Sequence, residues 1–100
     1  MSALVTILVH GDTDKFRDIM ARDPDRFRAI ADDARSRGAI HHRFGVGDGY
    51  ILAVDEWETA EAFQAFFQTN ADIPKLMEEA GARSEPQITL AEAIESPDQF

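Results

Sequence analysis

Residues 3–10, with the sequence ALVTILVH, carry aliphatic or β-branched side chains at nearly every position and contain no glycine or proline. Such a run predicts a buried β-strand. Successive side chains of a strand point to opposite faces of a sheet, so Val5 and Ile7 would face one side and Leu4 the other. A strand that is apolar on both faces needs cover on both faces, and this requirement constrains the rest of the fold.

Two helices are predicted after this strand. Asp12 or Thr13 is a suitable N-terminal cap for the first, and the Asp23-Pro24 pair restarts the helix, because aspartate favours the cap and proline the first helical position. Gly38 stands where a glycine commonly ends a helix. The apolar residues recur with helical spacing: Phe16, Ile19, Met20, Phe27, Ile30, Ala31 and Ala34.

Two strands, over residues 39–46 and 49–57, are predicted around the glycine-rich segment Gly45-Val46-Gly47-Asp48-Gly49, which is typical of a hairpin. Thr59 can cap a third helix, and a further helical turn or two follows Pro74 and stops at Gly81. A last strand is predicted over residues 87–94, with a loose tail over residues 95–100. In the last strand Ile88, Leu90 and Ile94 would oppose Thr89, Ala91 and Ala93.

This order, β-α-β-β-α-β, predicts an α+β fold of the ferredoxin-like class with a four-stranded antiparallel sheet, formed by a single domain over residues 1–100. Its helices can cover only one face of the sheet. Because the strands are apolar on both faces, we expect a second copy to cover the open face, giving a homodimer with twofold symmetry. The alternative is a monomer whose open face is only mildly apolar.

The charge and cysteine content restrict the partners. Nineteen acidic and ten basic side chains give a formal charge of −9, which disfavours nucleic acid and anionic membranes as partners. The chain has no cysteine, which excludes disulfides and thiolate metal sites. No apolar run is longer than a strand, and the N-terminus does not have the pattern of a secretory signal. We therefore expect a cytoplasmic protein.

Several segments resemble the antibiotic-biosynthesis-monooxygenase-like proteins of the dimeric α+β barrel superfamily. In these proteins a strand ends in an acidic residue and tryptophan and is followed by a Ser/Thr cap and a helix that begins Glu-Ala-Phe. The segments are GAIHHRF (38–44), GDGYIL (47–52), DEWETAEAF (55–63), IPKLM (73–77) and Ala80-Gly81. The resemblance implies a dimeric α+β barrel. The superfamily includes cofactor-free oxygenases, haem-degrading enzymes, isomerases and proteins of unknown role, so fold alone does not give the activity.

The resemblance carries over few functional residues. The haem-degrading branch uses an asparagine on the first strand, a tryptophan and a histidine on the second helix. Here only Trp57 matches, so haem degradation is not expected. The cofactor-free branch uses asparagine, tryptophan and tyrosine around a hydrophobic cavity. Trp57 and Tyr50 match, whereas the only asparagine, Asn70, lies near a predicted helix break.

The resemblance and the residues together suggest a candidate site of His42, Asp55, Trp57 and Tyr50, in which Tyr50 rests on the resemblance alone. His41 and His42 are adjacent on a strand and face opposite sides, so they cannot chelate one metal together. His42 shares its face with apolar residues, and an imidazole, which titrates near neutral pH, can act as a general base. Asp55 and Trp57 share one face, where the carboxylate can also act as a base. The structural alternatives are a hydrogen-bonded core histidine, a solvated carboxylate and a core tryptophan.

Two functions remain open from the sequence. The first is a cofactor-independent monooxygenase that acts on a hydrophobic, aromatic small molecule, with no metal or other cofactor. The second is a non-catalytic dimeric module that binds a small molecule or a protein. A set of apolar residues at helical spacing could line an aromatic-binding cavity or simply form the core: Phe63, Phe66, Phe67, Leu76 and Met77. His10, at the end of the first strand, could join a site with one of the central histidines.

Overall fold

The computed structural model describes residues 2–100, which form a four-stranded antiparallel sheet with four helices. The strand order is β2-β3-β1-β4, so β1 is a central strand that pairs with both β3 and β4. The predicted ferredoxin-like fold is confirmed. The elements are β1 (Ala3–His10), α1 (Thr13–Arg22), α2 (Pro24–Ser36), β2 (Ala39–Gly47), β3 (Tyr50–Trp57), α3 (Ala60–Thr69), α4 (Asp72–Glu79) and β4 (Gln87–Glu92).

Side-chain caps fix the starts of three helices as the sequence predicts. The carboxylate of Asp12 accepts hydrogen bonds from two backbone N–H groups in the first turn of α1. Asp23 caps α2 through the backbone N–H of Arg26, and Thr59 caps α3 through that of Ala62. Each cap satisfies N–H groups that have no partner inside the helix.

Three boundaries differ from the prediction. The helix expected after Pro74 begins earlier, at Asp72, because Asn70 accepts hydrogen bonds from the first backbone N–H groups of α4 and proline is tolerated in the first turn. The hairpin loop contains only Asp48 and Gly49, so β2 continues through Gly47. Strand β4 ends at Glu92, two residues before the predicted end. Ile94 therefore lies beyond the strand and is exposed.

The pairing register separates two faces of the sheet. The odd-numbered residues of β1 and β3 face the helices, and Trp57 is the most deeply buried of them, at 1% exposure. Trp57 packs with Val5, Phe63 and Phe66 in one core cluster. A second cluster joins α1, α4 and β3 through Phe16, Ile19, Ile51, Leu76 and Ala80. The helices thus bury one face of the sheet only.

The other face, which we call the open face, has no cover within residues 2–100. It consists of the even-numbered residues of β1 and β3 and their neighbours on the edge strands. Leu4 is 46% exposed and Val54 is 48% exposed, while Leu8, Tyr50 and Leu52 are half-buried. Apolar side chains on both faces of the central strands were predicted, and the structure confirms them. Within the described residues, no helix has the length and apolar character required to span a membrane.

Gly38 is expected to be sensitive to substitution. It joins α2 to β2 with a φ of 118°, and its carbonyl accepts a hydrogen bond from the backbone N–H of Glu58. Because side chains other than hydrogen are strained at this φ, Gly38→Ala should lower the free energy of unfolding by about 1–3 kcal/mol. Urea unfolding measures this. Gly45→Ala is the control, since an added methyl group at Gly45 would meet no atom within 4 Å. Equal stability of the two variants would contradict the prediction.

Candidate functional site

A cavity of about 730 Å³ lies between the helices and the covered face of the sheet. Its lining is mainly aliphatic and aromatic and comes from all four helices and from β1, β2 and β3. A volume of this size suits a small ligand, and a mainly apolar wall with few polar groups is typical of small-molecule sites. The residues that the sequence left open between cavity lining and core all contribute to the lining, and three of them, Phe63, Phe66 and Leu76, are also part of the core clusters: Phe63, Phe66, Phe67, Leu76 and Met77.

The exposure of the lining residues locates the opening of the cavity. All six exposed lining residues belong to α2 and β2: Arg28, Arg35, Ile40, His41, His42 and Phe44. The lining residues on the other elements are buried or half-buried. Because β2 is an edge strand, the space beside it is not closed by a further strand. The cavity therefore opens between α2 and β2.

His42, Asp55 and Trp57 form a hydrogen-bonded series in the cavity wall. His42 Nδ1 lies 2.6 Å from Asp55 Oδ1, and Trp57 Nε1 donates to Asp55 Oδ2 at 3.2 Å. An ionised carboxylate only accepts hydrogen bonds, so it pairs with the His42 tautomer that has its proton on Nδ1 and leaves Nε2 as a free acceptor. The Asp55 side chain is 10% exposed and that of His42 is 40% exposed. The imidazole thus lies where the cavity meets solvent.

The register of the hairpin creates this pairing. The two-residue turn places Gly47 opposite Tyr50 and His42 opposite Asp55. Because Asp55 faces the helices, His42 opposite it faces the helices as well, rather than His41. A β-bulge between Ala39 and His41 shifts the pairing by one residue at the start of β2. The sequence left open which histidine faces the pocket, although the Asp-Gly pair was a signal for a two-residue turn.

Phe44 fixes the position of the imidazole from the side. Its ring meets that of His42 edge to face, with centroids 4.6 Å apart, and also contacts Phe16 and Phe27 in the same manner. Such pairs contribute about 0.5–1.5 kcal/mol each beyond buried area. Neither Phe16 nor Phe27 was predicted to line a site. Both were predicted on the apolar faces of their helices, which is the signal that could have indicated them.

Tyr50 lies apart from the other three candidate residues. As an even-numbered residue of β3 it belongs to the open face, and it does not line the cavity. Its ring lies against Gly47, where an added Cβ atom would come within 2.0 Å of Cζ. Alternation along the strand explains the separation, because Asp55 and Trp57 are odd-numbered and Tyr50 is even-numbered. Three of the four proposed residues are therefore close together, and Tyr50 is not.

Two further residues weighed from the sequence lie outside the cavity. Asn70 donates its amide hydrogen to Asp33 Oδ2 at 2.9 Å and accepts backbone hydrogen bonds at the start of α4. Its hydrogen bonds thus link α2 to the turn between α3 and α4. His10 is exposed at the end of β1, on the open face opposite Tyr50. Within residues 2–100, no three His, Cys, Asp or Glu side chains are grouped as a metal site.

An ion pair between Arg26 and Glu79 connects α2 to α4, two of the helices that contribute to the cavity wall. The hydrogen bond that Arg26 donates lowers the pKa of the Glu79 carboxyl and raises the pKa of the guanidinium. Glu79 is half exposed, so solvent screens the pair and its contribution to stability is small. The pair marks a contact between α2 and α4 at one side of the site.

Comparison with known proteins gives no match by sequence. No protein-family model matches the chain, and no curated protein matches it. Similar solved structures exist, however. SnoaB, described as a cofactor-independent oxygenase from Streptomyces nogalater, is 20% identical with a TM-score of 0.60, and the match covers 98% of this chain and 97% of SnoaB.

Two other structures agree with this result. One described as an antibiotic biosynthesis monooxygenase is 12% identical with a TM-score of 0.65, over 93% of this chain and 99% of the other. A dimeric ferredoxin-like protein from an uncultured marine organism is 12% identical with a TM-score of 0.62, over 95% and 93% of the two chains. These structures agree with the ferredoxin-like fold predicted from the sequence: this chain has the ferredoxin-like fold of structures described as antibiotic biosynthesis monooxygenases.

Proposed function

We propose that the protein is a cofactor-independent monooxygenase that acts on a hydrophobic, aromatic small molecule. The observation that carries the proposal is an apolar cavity of about 730 Å³ with the His42–Asp55 pair at its opening. A base at the end of an apolar cavity can meet the one acidic group of an otherwise apolar ligand. The fold shared with a cofactor-independent oxygenase supports the same activity.

In the proposed reaction, His42 Nε2 removes a proton from an activated methylene group of the substrate. The resulting carbanion, delocalised over the aromatic rings, is electron-rich enough to reduce dioxygen directly. The methylene carbon is oxidised to a carbonyl: it gains one oxygen atom of the dioxygen and loses both hydrogens, which leave with the second oxygen atom as one water molecule. Asp55 accepts the Nδ1 hydrogen and stabilises the imidazolium, and Trp57 holds Asp55 in place.

A panel of hydroxylated polycyclic compounds, each with aromatic rings and one activated methylene group, tests this function in two measurements. A compound that binds only the native state raises the melting temperature, by an amount that grows with its concentration. An oxygen electrode then measures whether one molecule of dioxygen is taken up for each molecule of the same compound that reacts. We expect at least one compound to do both. If no compound of the panel raises the melting temperature, the proposed site does not take such ligands and the function is contradicted.

The alternative function is a non-catalytic module that binds a small molecule or a protein. It is favoured by the absence of asparagine from the cavity, since Asn70 is hydrogen-bonded to Asp33 and to the start of α4. A compound that raises the melting temperature without any uptake of oxygen would support this alternative. The thermal measurement and the electrode together separate the two functions.

We also propose that a second copy covers the open face, which would give a homodimer. Leu4 and Val54 are exposed on that face, on the two central strands, and the described part of the chain has no element to cover them. One structure of the same fold is described as dimeric. A buried area of about 800 Å² per chain would make a standard interface. The cytoplasmic location stays a prediction.

Val54→Lys is expected to abolish the dimer at micromolar concentration. Twofold symmetry places two unpaired ammonium groups in one apolar interface, so the dissociation constant should rise at least about 100-fold. Sedimentation velocity measures the change. Ala29→Lys is the matched control, because Ala29 is exposed on α2 and lies outside both the cavity and the sheet. A wild-type protein that sediments only as a species of about 11.2 kDa would contradict the dimer.

A further inference from the structure

Acidic residues outnumber basic residues in the whole chain, whereas basic residues outnumber acidic residues in the lining of the cavity. The protein has a formal charge of −9, with 19 acidic and 10 basic residues. Among the charged residues that line the cavity, however, are two arginines, Arg28 and Arg35, and one acid, Asp55. A chain of this composition repels anions at long range. The two guanidinium groups at the opening of the cavity therefore indicate a site that prefers negatively charged ligands.

The two arginines lie on the same side of α2, seven residues or about two helical turns apart. Ala31, which also lines the cavity, lies between them and is small. The neighbouring stripe of Phe27, Ile30 and Ala34 lines the apolar part of the cavity. A ligand with its apolar body against that stripe would thus have a polar group beside Ala31, within reach of both arginines.

Each arginine has an acidic partner that a ligand can displace. Arg28 pairs with Asp25 at 2.7 Å and Arg35 pairs with Asp32 at 2.5 Å, both within α2. All four side chains are exposed, so solvent screens these pairs and they contribute little. An anionic group at the edge of an apolar cavity can accept charge-assisted hydrogen bonds from the same guanidinium groups, and these are stronger than hydrogen bonds between neutral groups.

Asp55 does not cancel this local positive charge for a ligand. Both of its oxygens already accept hydrogen bonds, from His42 and from Trp57. Its side chain is mostly buried, so it offers little surface to the cavity opening. The charged or titratable groups that line the opening are therefore the two guanidinium groups and the histidine imidazoles, and a ligand competes with Asp25 and Asp32 for the guanidinium groups.

We propose that the natural ligand of this cavity is an amphiphilic anion, an aromatic body that carries an acidic group such as a carboxylate, with that group bound between Arg28 and Arg35. The inference rests on the proposed small-molecule site and names the class of molecule that the site takes. The competing explanation is that the arginine stems only cover apolar surface. In that case the charge of a ligand would not affect its binding.

Two fluorescent probes with one ring system separate these explanations. 8-Anilinonaphthalene-1-sulfonate is an anion, and N-phenyl-1-naphthylamine has the same rings without the sulfonate. We expect the anion to bind at least about tenfold more tightly in low salt, which corresponds to about 1.4 kcal/mol. Added salt should reduce this preference, because the arginines are exposed and screened. Fluorescence titration at two salt concentrations measures both affinities.

The double variant Arg28→Gln with Arg35→Gln tests whether the two arginines cause the preference for the anionic probe. It should weaken binding of the anionic probe by about tenfold and leave the neutral probe within about twofold. The control is Arg17→Gln with Arg22→Gln, which removes the same charge from exposed positions on α1 that do not line the cavity. The control should leave both affinities unchanged.

The outcomes distinguish this inference from the proposed function. Equal affinities of the two probes for the wild-type protein would overturn the anion selectivity and leave a hydrophobic ligand site intact. A preference that the double variant retains would also overturn it, because the anion would then bind elsewhere, for example on the open face. If neither probe binds, the cavity takes no hydrophobic ligand and the proposed function fails as well.

Discussion

Trp57→Ala is expected to lower the free energy of unfolding by about 3–5 kcal/mol. Trp57 is 1% exposed, and its ring meets those of Phe63 and Phe66 at centroid distances of 5.7 and 5.1 Å. Its removal leaves a large cavity between β3 and α3 and deprives Asp55 of a hydrogen-bond donor. Since domains of this size are stable by about 5–15 kcal/mol, much of the total would be lost.

Urea unfolding followed by far-ultraviolet circular dichroism measures this loss. Fluorescence is unsuitable because Trp57 is the only tryptophan of the chain. Trp57→Phe is the matched variant: it keeps an aromatic ring in the core but removes the indole N–H, and should cost about 1–3 kcal/mol. If the alanine variant were no less stable than the phenylalanine variant, the ring would contribute little packing and the core described for β3 and α3 would be wrong.

His42→Gln is expected to reduce turnover of an active substrate by about 10²–10⁴-fold, the usual contribution of a general base. Glutamine can still donate a hydrogen bond to Asp55 but cannot take up a proton near neutral pH. The side chain is 40% exposed, so the variant should fold with nearly unchanged stability. Oxygen uptake under saturating and limiting substrate gives kcat and kcat/KM separately.

His10→Gln is the control for this experiment, because it makes the same substitution at an exposed residue of the open face that does not line the cavity. It should retain turnover within about threefold. Asp55→Asn adds a test of the orienting hydrogen bond: an amide can donate to Nδ1 and so place the imidazole proton on Nε2, which removes the base from the ligand side. A pH profile of kcat/KM unchanged in both His42→Gln and Asp55→Asn would contradict the proposed roles.

Local signals in the sequence were sufficient for the type and order of the elements. The caps at Asp12, Asp23 and Thr59 depend on hydrogen bonds that span three residues or fewer, and all three occur as predicted. Alternation along β1 and β3 also depends only on neighbouring residues, so the shared face of Asp55 and Trp57 could be predicted. Local signals did not give every element end: β4 stops at Glu92, two residues before its predicted end, because pairing with β1 decides where the strand stops.

The candidate site was likewise predicted in part from local sequence and in part only visible in the folded chain. The sequence indicated His42, Asp55 and Trp57 from residue type and shared faces. It also included Tyr50 on the strength of a family resemblance, although alternation along the strand places that residue on the open face. The cationic pair Arg28 and Arg35 was missed. Nothing in the spacing of two arginines on a helix distinguishes a cavity opening from a solvated face until the strand beside that helix is known.

Helix caps, turns and side-chain periodicity act over a few residues, so the order β-α-β-β-α-β and strands that are apolar on both sides could be predicted from local sequence. The pairing of His42 with Asp55 across the hairpin, and the opening with two arginines between α2 and β2, became visible only in the folded chain. The reason is physical: hydrogen bonds between strands and the space between layers depend on residues distant in the chain, and their register changes with a single bulge.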